Sequence, residues 1–181
     1  MEYRKTVRLK DGRECCLRNG TKADGAAVEA VFNLTHEQTD YLLSYADENS
    51  FNAEQEGDFL QAKTDSANEI ELLAEIDGTV VGLAGITALG SKDKIRHRAE
   101  FGISVDQAYW GLGIGRALTR ACIECAAAAG YAQLELEAVA ENGRALALYA
   151  GEGFREYGRN PLGFRTRQGR WQELVLMRRE L

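Results

Sequence analysis

The alternation of apolar and polar residues along the chain predicts several strands, most of them arranged in hairpins. The run IELLAEI, then Asp77-Gly78, then TVVGLAGITAL is the clearest hairpin, because two β-rich segments flank a dipeptide that readily adopts the positive φ angles of a tight turn. KTVRLK, Asp11-Gly12 and RECCLRN repeat this arrangement near the start of the chain. A strand at 96–105 extends the central hairpin into an antiparallel meander, and FREYGRN and RWQELVLMRR are two further strand candidates.

The helical spacing of apolar residues predicts two helices in the first part of the chain. A capping-box pattern followed by an apolar stripe indicates a helix over 22–34. Asn52 is a typical start for a second helix, with Phe59 and Leu60 facing inward and an acidic outer face. The segment between these two helices shows no clear periodicity.

The second half of the chain changes from a meander to the order strand, helix, strand. The longest apolar stripe begins at Ile114, and Gly130 is placed to end that helix. AQLELEAVA then alternates as a strand does, so this order predicts a right-handed crossover between two parallel strands. Asn142 can cap another short helix that reaches Ala150, and Gly153 closes it.

Length and composition place these elements in one domain. The chain has 181 residues, of which 45% are apolar and 28% are charged, as in ordinary globular proteins. We therefore expect one domain over 1–181, of the α/β (α+β) class. Its central sheet should be mixed but mostly antiparallel, with about seven strands flanked by about four helices.

Charge and hydropathy narrow the classes of partner. The net charge of −6 opposes binding to nucleic acid, which needs a basic surface. No stretch approaches the roughly 20 apolar residues that span a bilayer. The opening MEYRKTVRLKDGR lacks the apolar core of a secretory signal. We expect a cytoplasmic protein without nucleic-acid or membrane partners.

The four cysteines occur as two close pairs, Cys15 with Cys16 and Cys122 with Cys125. A zinc site would need both pairs to converge, and adjacent cysteines are awkward tetrahedral ligands. A cytoplasmic compartment also keeps thiols reduced. We therefore interpret the cysteines as buried thiols and expect no metal.

The segment YWGLGIGRAL carries glycine at 111, 113 and 115, between the third strand and the longest helix. A strand that ends in a glycine turn and opens a helix aims several free N–H groups at one point, where the helix dipole favours an anion. A P-loop needs lysine and then serine or threonine after its last glycine, where this chain has Arg116 and Ala117. The dinucleotide fingerprint fails at its third glycine. From the glycines alone, a phosphate cradle and a purely structural turn are both open.

Three stretches together give the chain a family likeness. Gly113 and Gly115 match the last two anchors of a motif of the GNAT superfamily of acyl-CoA-dependent N-acetyltransferases, although Trp110 stands where glutamine or arginine is frequent. NGRALALYAGEGF resembles a second family segment, and GRWQELVLMRREL is similar to the closing strand of many members. The matching residues of the second segment are Asn142, Ala145, Tyr149, Gly153 and Phe154. The chain resembles this superfamily over 13–181, most clearly over 99–154.

The resemblance implies acetyl-CoA as the co-substrate, with no metal, and direct transfer of its acetyl group to a primary amine. The pyrophosphate would lie against main-chain N–H groups at the start of the long helix. The pantetheine arm would pair with the preceding strand as an added strand does. The implied cofactor contacts are Ile103, Ser104, Val105, Gly111, Gly113, Ile114, Gly115, Arg116 and Asn142.

By the same resemblance, Tyr149 is the general acid and Glu100 the general base. A phenol with its ordinary pKa of about 10 stays protonated at neutral pH and can protonate a leaving thiolate. Without the family register, a tyrosine on an apolar helix face would be interpreted as a core residue. Glu100 lies on the strand expected to hold the cofactor, and Glu137 and Glu173 are the alternatives for the base. The two histidines are interpreted as exposed.

Charge along the chain suggests two kinds of acceptor. Residues 23–77 include fourteen acids and one lysine, whereas 154–171 carries five arginines and one glutamate. The arginines favour an amine that bears a carboxylate, such as an amino acid, and the acidic segment favours polyamines or aminoglycosides. Both segments are also typical of solvated faces. A small-molecule amine is the leading hypothesis; a protein amino terminus or lysine, and a non-catalytic acyl-CoA-binding module, are the alternatives, and family members are often homodimers.

Overall fold

The computed structural model describes residues 1–181 as one eight-stranded sheet with helices on both faces. The strands are β1 (Arg4–Arg8), β2 (Glu14–Asn19), β3 (Ile70–Ile76), β4 (Thr79–Ala88), β5 (Arg98–Val105), β6 (Gln133–Val139), β7 (Arg155–Arg165) and β8 (Trp171–Glu180). The helices are α1 (Gly25–Glu37), α2 (Ala53–Asp65), α3 (Ile114–Ala128) and α4 (Gly143–Gly151). Across the sheet the strands lie in the order β1-β2-β3-β4-β5-β6-β8-β7.

All neighbouring strands pair antiparallel except β5 and β6, which are parallel. This confirms the prediction of a mixed, mostly antiparallel sheet flanked by four helices. The sheet has eight strands where about seven were expected, because both candidate strands at each end of the chain pair into it. The crossover from β5 through α3 to β6 follows the order that the apolar pattern predicts.

The two aspartate-glycine turns differ in length. Asp77 and Gly78 join β3 to β4 with φ angles of 49° and 78°, the positive values expected of a two-residue turn. Between β1 and β2, the Leu9 amide donates to the Arg13 carbonyl at 2.8 Å, so the loop has three residues and its last, Gly12, has a φ of 90°. The prediction of a two-residue turn is therefore wrong for the first hairpin, because a three-residue loop also places its glycine in the left-handed region.

The sheet separates two cores. On one face, α3 and α4 pack over 26 buried residues, among them Phe101, Leu118 and Leu134. On the other face, α1 and α2 cover a smaller cluster made of Val28, Val31, Leu60, Leu73 and Leu83. Successive residues of β4 and β5 point to opposite cores, as alternation along a strand requires. None of the helices is both long and apolar enough to cross a bilayer.

All four cysteines are free thiols. Cys15 on β2 and Cys122 and Cys125 on α3 are buried in the core between that helix and the sheet, which confirms the interpretation for these three residues. Cys16 is half-buried, because the alternation of β2 points it to the opposite face from Cys15.

Helix α2 carries charge on its inner side. It begins, as predicted, after Asn52, whose side chain accepts from the Gln55 amide at 3.0 Å, and Leu60 is fully buried. Phe59 is 36% exposed, so the prediction that it faces inward is wrong. Lys63, three residues after Leu60 on the same helix face, is buried instead, 3.0 Å from Glu69 and 2.6 Å from the Thr87 hydroxyl.

Strands β5 and β6 pair over only three residues. Arg98–Glu100 lies beside Gln133–Glu135, and beyond that point the two strands separate. β5 stays paired with β4 as far as Val105, and β6 stays paired with β8 as far as Val139. The sheet is therefore continuous at one end of these strands and open at the other, where a cleft forms.

Candidate active site

Main-chain groups of β5 line one side of the cleft. The Asp106 amide, at the end of β5, donates to the Val81 carbonyl of β4 at 3.0 Å. Since main-chain groups point in alternate directions along an extended strand, those of Ile103 and Val105 point away from β4, toward the cleft. Those of Ser104 point toward β4, and only its side chain can border the cleft.

Trp110 fastens the end of β5 to the glycine segment. Its indole Nε1 donates to the Val105 carbonyl at 2.7 Å. The guanidinium of Arg144, at the start of α4, lies over the same indole at 4.4 Å from the ring centre. The residue that departs from the family motif at its first anchor therefore has a structural role of its own.

The glycine segment opens α3 with its main chain uncovered. Gly111 and Gly113 have φ angles of 83° and 102°, in the left-handed region that glycine adopts without strain. A methyl group at either position would meet no atom within 4 Å, so both glycines face open space. The first intrahelical bond of α3 runs from the Ala117 amide to the Gly113 carbonyl at 3.0 Å. The amides that consequently lack an intrahelical acceptor are those of Ile114, Gly115 and Arg116.

A cavity of about 580 Å³ lies over this helix start and along the end of β5. We call it the glycine chamber, after Gly111, Gly113 and Gly115 in its wall. All the predicted cofactor contacts line it: Ile103, Ser104, Val105, Gly111, Gly113, Ile114, Gly115, Arg116 and Asn142. Three cations and one carboxylate line it, namely Lys10, Arg116, Arg144 and Glu141, so the wall is positive on balance. The Arg116 guanidinium is also 3.1 Å from the carboxylate of Glu152.

A second cavity of about 450 Å³ adjoins the first on the α1 side of the sheet. We call it the carboxylate chamber, because Glu71, Glu100 and Glu137 line it and no lysine or arginine does. The residues that border both chambers are Tyr41, Leu42, Ile103, Ser104, Asn142 and Tyr149. The two predicted catalytic residues, Tyr149 and Glu100, therefore share one continuous space.

The aperiodic segment between α1 and α2 covers the junction of the two chambers. Two of its side chains border both spaces. The Gln172 side chain donates to the Asp40 carbonyl at 3.1 Å, and the Gln38 side chain donates to the Asp106 carboxylate at 2.8 Å. These bonds tie the segment to β8 and to the end of β5.

Tyr149 is held by its ring and borders both chambers. Asn142 caps α4 by accepting from the Ala145 amide at 3.2 Å, which fixes the start of the helix that carries Tyr149. The ring packs against Phe101 and Phe154 at centroid distances of 6.1 and 6.0 Å. Burial alone raises the pKa of Tyr149 to about 12. The hydroxyl is thus a protonated donor at neutral pH.

The structure separates the three carboxylates considered for the general base. Glu100 and Glu137 both line the carboxylate chamber. Glu173 lies outside both chambers, 2.8 Å from Arg159. Since its charge is neutralised away from Tyr149, Glu173 is no longer a candidate.

Glu71 belongs to the carboxylate chamber but is not apparent from the sequence patterns. It lies within β3, whose other residues are mostly buried on both faces. The sequence feature that could have pointed to Glu71 is a charged residue inside the apolar run IELLAEI. Its neighbours on β4 and β5 could not be foreseen, because they depend on pairing between distant segments.

His36 also lines the carboxylate chamber, and the interpretation of this residue as exposed is wrong. Helix α1 continues to Glu37, three residues beyond the predicted end. His36 therefore lies on this helix and is buried on the face of the sheet that α1 covers. The ring stacks on Phe32 at 3.7 Å, and its Nδ1 is 2.7 Å from the Phe32 carbonyl. Burial lowers the pKa of His36, which favours the neutral imidazole. His97 is exposed, as expected.

None of the five arginines in 154–171 lines either chamber. Four of them make contacts elsewhere on the surface. Their contacts are Arg159 with Glu156 at 2.7 Å, Arg167 with Asp47 at 2.5 Å, Arg170 with Glu141 at 3.3 Å, and Arg165 over the Trp171 ring at 5.3 Å. The arginines therefore lend no support to an acceptor that carries a carboxylate.

Known proteins share this sequence pattern. The family model described as the acetyltransferase (GNAT) family matches residues 29–154. N-alpha-acetyltransferase RimI of Mycobacterium tuberculosis is 41% identical over 85 residues, which cover 47% of this chain and 51% of that relative, so the chain spans about half of its length. L-amino acid N-acyltransferase MnaT of Escherichia coli is 27% identical over 166 residues, which cover 91% of this chain and 93% of that protein.

The fold also has a counterpart among solved structures. The crystal structure of a GNAT-family acetyltransferase from Streptococcus pneumoniae is similar to this one with a TM-score of 0.88 at 28% identity. The similarity covers 92% of this chain and 99% of that one. It therefore concerns the whole architecture and not a single motif.

The unpaired Glu71 lowers the stability of the folded chain at neutral pH. Burial raises the pKa of Glu71 to about 7, while the charge of Lys63 acts to lower it and that of Glu56 to raise it. A carboxyl group whose pKa rises on folding binds more protons in the folded state than in the unfolded state. The contribution of Glu71 to the free energy of unfolding should therefore fall as the pH rises from 4.5, the ordinary value, to about 7.

Replacing Glu71 with glutamine should remove this dependence. We expect Glu71→Gln to be more stable than the wild type at about pH 8, by about 1–3 kcal/mol in the free energy of unfolding, and equally stable at about pH 4. Denaturation followed by circular dichroism at both pH values measures the difference. Glu14→Gln, at an exposed position of β2, controls for the loss of one charge. An equal offset at both pH values would contradict the raised pKa.

Proposed function

The chain belongs to the acetyltransferase (GNAT) family, and we propose that it transfers an acetyl group from acetyl-CoA to the primary amine of a small molecule. One observation carries the proposal: a chamber with a net positive wall adjoins a chamber lined by carboxylates, and Tyr149 borders both. The glycine chamber suits an anionic donor molecule. The carboxylate chamber suits a cationic acceptor.

The glycine chamber fits the diphosphate and the pantetheine arm of acetyl-CoA. The open amides lie at the positive end of the α3 dipole, which attracts an anion, and a methyl group on Gly113 would project into that space. The main chain of Ile103 can pair with the arm as a neighbouring strand would. The Val105 carbonyl already accepts a hydrogen bond from the Trp110 indole, so only the Val105 amide is available to pair with the arm. Bound acetyl-CoA supplies the thioester.

The residues at the junction divide the reaction between them. Glu100 takes a proton from the ammonium form of the acceptor, directly or through a water molecule, and the neutral nitrogen then attacks the thioester carbonyl carbon. A C–N bond forms, the C–S bond breaks and the nitrogen releases its second proton to solvent, as Glu100 later does with the first, with no covalent bond to the enzyme. The Tyr149 hydroxyl gives its proton to the leaving sulfur and regains one from solvent. The products are the N-acetylated amine and CoA.

Glu100 is the better candidate for the base because of the strand that carries it. β5 also carries Ile103 and Val105, so a base on this strand stands next to the proposed position of the thioester arm. Glu137 lines the same chamber from β6, across the opening between the strands. Its proposed contribution is a negative charge that attracts the acceptor.

The chamber volumes and charges support a small acceptor. About 450 Å³ is within the range of small-molecule sites. The name of the Escherichia coli relative specifies L-amino acids. In this chain, however, the arginines that would recognise a carboxylate lie outside both chambers, which favours an amine without one.

Acetylation of a protein amino terminus is a second candidate, because the chain is similar to RimI of Mycobacterium tuberculosis over 85 residues. An amino-terminal peptide also presents a primary amine. A panel of short peptides assayed beside a panel of small amines separates the two candidates. We expect the small amines to give the higher kcat/KM.

Tyr149→Phe tests the chemical step. Release of free CoA is measured with the amine panel for the wild type and the variant. We expect kcat to fall at least about tenfold, because the leaving thiolate loses its proton donor, while acetyl-CoA affinity changes little. Equal turnover would remove Tyr149 from the mechanism. Binding of acetyl-CoA with no CoA release from any amine would instead favour a non-catalytic binding module.

Gly113→Ala tests the donor site. The added methyl group would project into the glycine chamber, so we expect the Kd for acetyl-CoA, measured by calorimetry, to rise at least about tenfold. Gly130→Ala is the matched control, because Gly130 has a similar φ of 81° and open space around it but lies outside the chamber. The two variants should lose similar stability. A similar loss of affinity in both would contradict the proposed site.

A further inference from the structure

Glu71 lies on the same sheet face as Glu100, and the β4 residues between them on that face are Gly85 and Thr87. Strand register places Glu71 beside Gly85 on β4, and Gly85 beside Gly102 on β5. A methyl group on Gly85 would collide with Oε2 of Glu71, so the carboxylate extends over β4 toward β5. A methyl group on Gly102 would meet nothing within 4 Å. The two glycines therefore form a trough that leads from Glu71 to Gly102 on β5, and Thr87 borders it next to Glu100.

No cation within the chain satisfies Glu71. The nearest candidate is Lys63, whose ammonium is 3.0 Å from Glu69 and donates to the Thr87 hydroxyl at 2.6 Å. Desolvation outweighs the attraction of Lys63 and raises the pKa of Glu71 to about 7. A partly buried acid that borders a cavity without a partner costs stability unless a ligand provides the opposite charge.

The surroundings of this acid specify the kind of ligand. The charged side chains that line the chamber are Glu71, Glu100 and Glu137, and its one further titratable side chain besides tyrosines is His36, whose lowered pKa favours the neutral ring. Glu56 on α2 adds a further negative charge behind Glu71. Phe32, Leu42 and Leu136 form an apolar part of the chamber wall. An apolar passage between two acids suits a methylene chain with a cation at each end.

We propose that Glu71 binds a second ammonium group of the acceptor, so that the substrates are small aliphatic diamines. This substrate assignment rests on the proposed acetyl transfer. Glu100 deprotonates the amine that reacts, and Glu71 holds the distal ammonium as an ion pair without changing it. Glu71 is thus a specificity-determining residue, and one amine of the pair leaves acetylated.

The spacing of the strands agrees with a short diamine. β3 and β5 are separated by one strand, so their backbones are about 10 Å apart. The Glu71 carboxylate lies over Gly85 of β4. The distance from this carboxylate across to the backbone of β5 is therefore one strand spacing, about 5 Å. Glu100 stands two residues along β5 from Gly102 on the same face. A chain of a few methylenes spans this gap.

Three acceptors with similar chains test the proposal. Putrescine ends in a second ammonium, n-butylamine ends in a methyl group, and γ-aminobutyrate ends in a carboxylate. CoA release is measured with each for the wild type, Glu71→Gln, Glu71→Asp and the surface control Glu14→Gln. We expect the wild type and Glu14→Gln to prefer putrescine over n-butylamine at least about tenfold in kcat/KM, with γ-aminobutyrate last.

In Glu71→Gln, the ratio of kcat/KM for putrescine to kcat/KM for n-butylamine should fall at least about tenfold, chiefly through a higher KM for putrescine. Glu71→Asp keeps the charge and should retain part of the preference. A wild type that uses n-butylamine and putrescine equally would overturn the second subsite and leave the acetyl transfer intact. An equal loss of kcat for both amines in Glu71→Gln would also overturn it, because that pattern belongs to a base or a structural residue.

Binding gives a readout that does not depend on turnover. Putrescine should raise the melting temperature of the wild type and of Glu14→Gln but not that of Glu71→Gln. If no amine releases CoA and yet putrescine stabilises only the chains that keep Glu71, the proposed transfer fails and the diamine subsite stands. Equal stabilisation of all variants by putrescine would overturn the subsite.

Discussion

Beyond Glu100, the main-chain groups of β5 that point away from β4 lack the neighbouring strand that the first three residues have. Main-chain N–H and C=O groups rarely stay unpaired away from water, so this stretch has to be satisfied by something else. Trp110 satisfies one carbonyl, at Val105. The remaining groups face a cavity whose shape follows from the separation of β5 and β6. Both chambers, and the position of Tyr149 between them, depend on that separation.

The two chambers differ in charge because different elements build them. The start of α3 brings unpaired amides, the positive end of a helix dipole and Arg116 to the glycine chamber, and the start of α4 brings Arg144. Alternation along β3, β5 and β6 brings Glu71, Glu100 and Glu137 to the carboxylate chamber. An anionic donor and a cationic acceptor would therefore meet at one tyrosine hydroxyl. Placing three carboxylates in one chamber lowers the stability of the folded chain. A bound cation would offset this cost.

Local patterns predicted most of the fold, because period and turn chemistry are local properties. Asp77-Gly78, the helix that opens after Gly113 and the cap at Asn142 were all readable from adjacent residues. Asp11-Gly12 shows the limit, since loop length depends on where the strands begin to pair. Glu71 and His36 were missed for a related reason. Their environment is created by strands and helices that are distant in sequence, and no local period reveals it.

Amide hydrogen exchange, resolved by residue with and without saturating acetyl-CoA, tests the central claim most directly. The account predicts slower exchange at Val105 and at Ile114–Arg116 when acetyl-CoA is present, because these amides gain acceptors from the bound molecule. Amides of β1 and β2, at the far edge of the sheet, should not change. Unchanged exchange at Val105 and at the start of α3 would contradict the assignment of this cleft as the acetyl-CoA site.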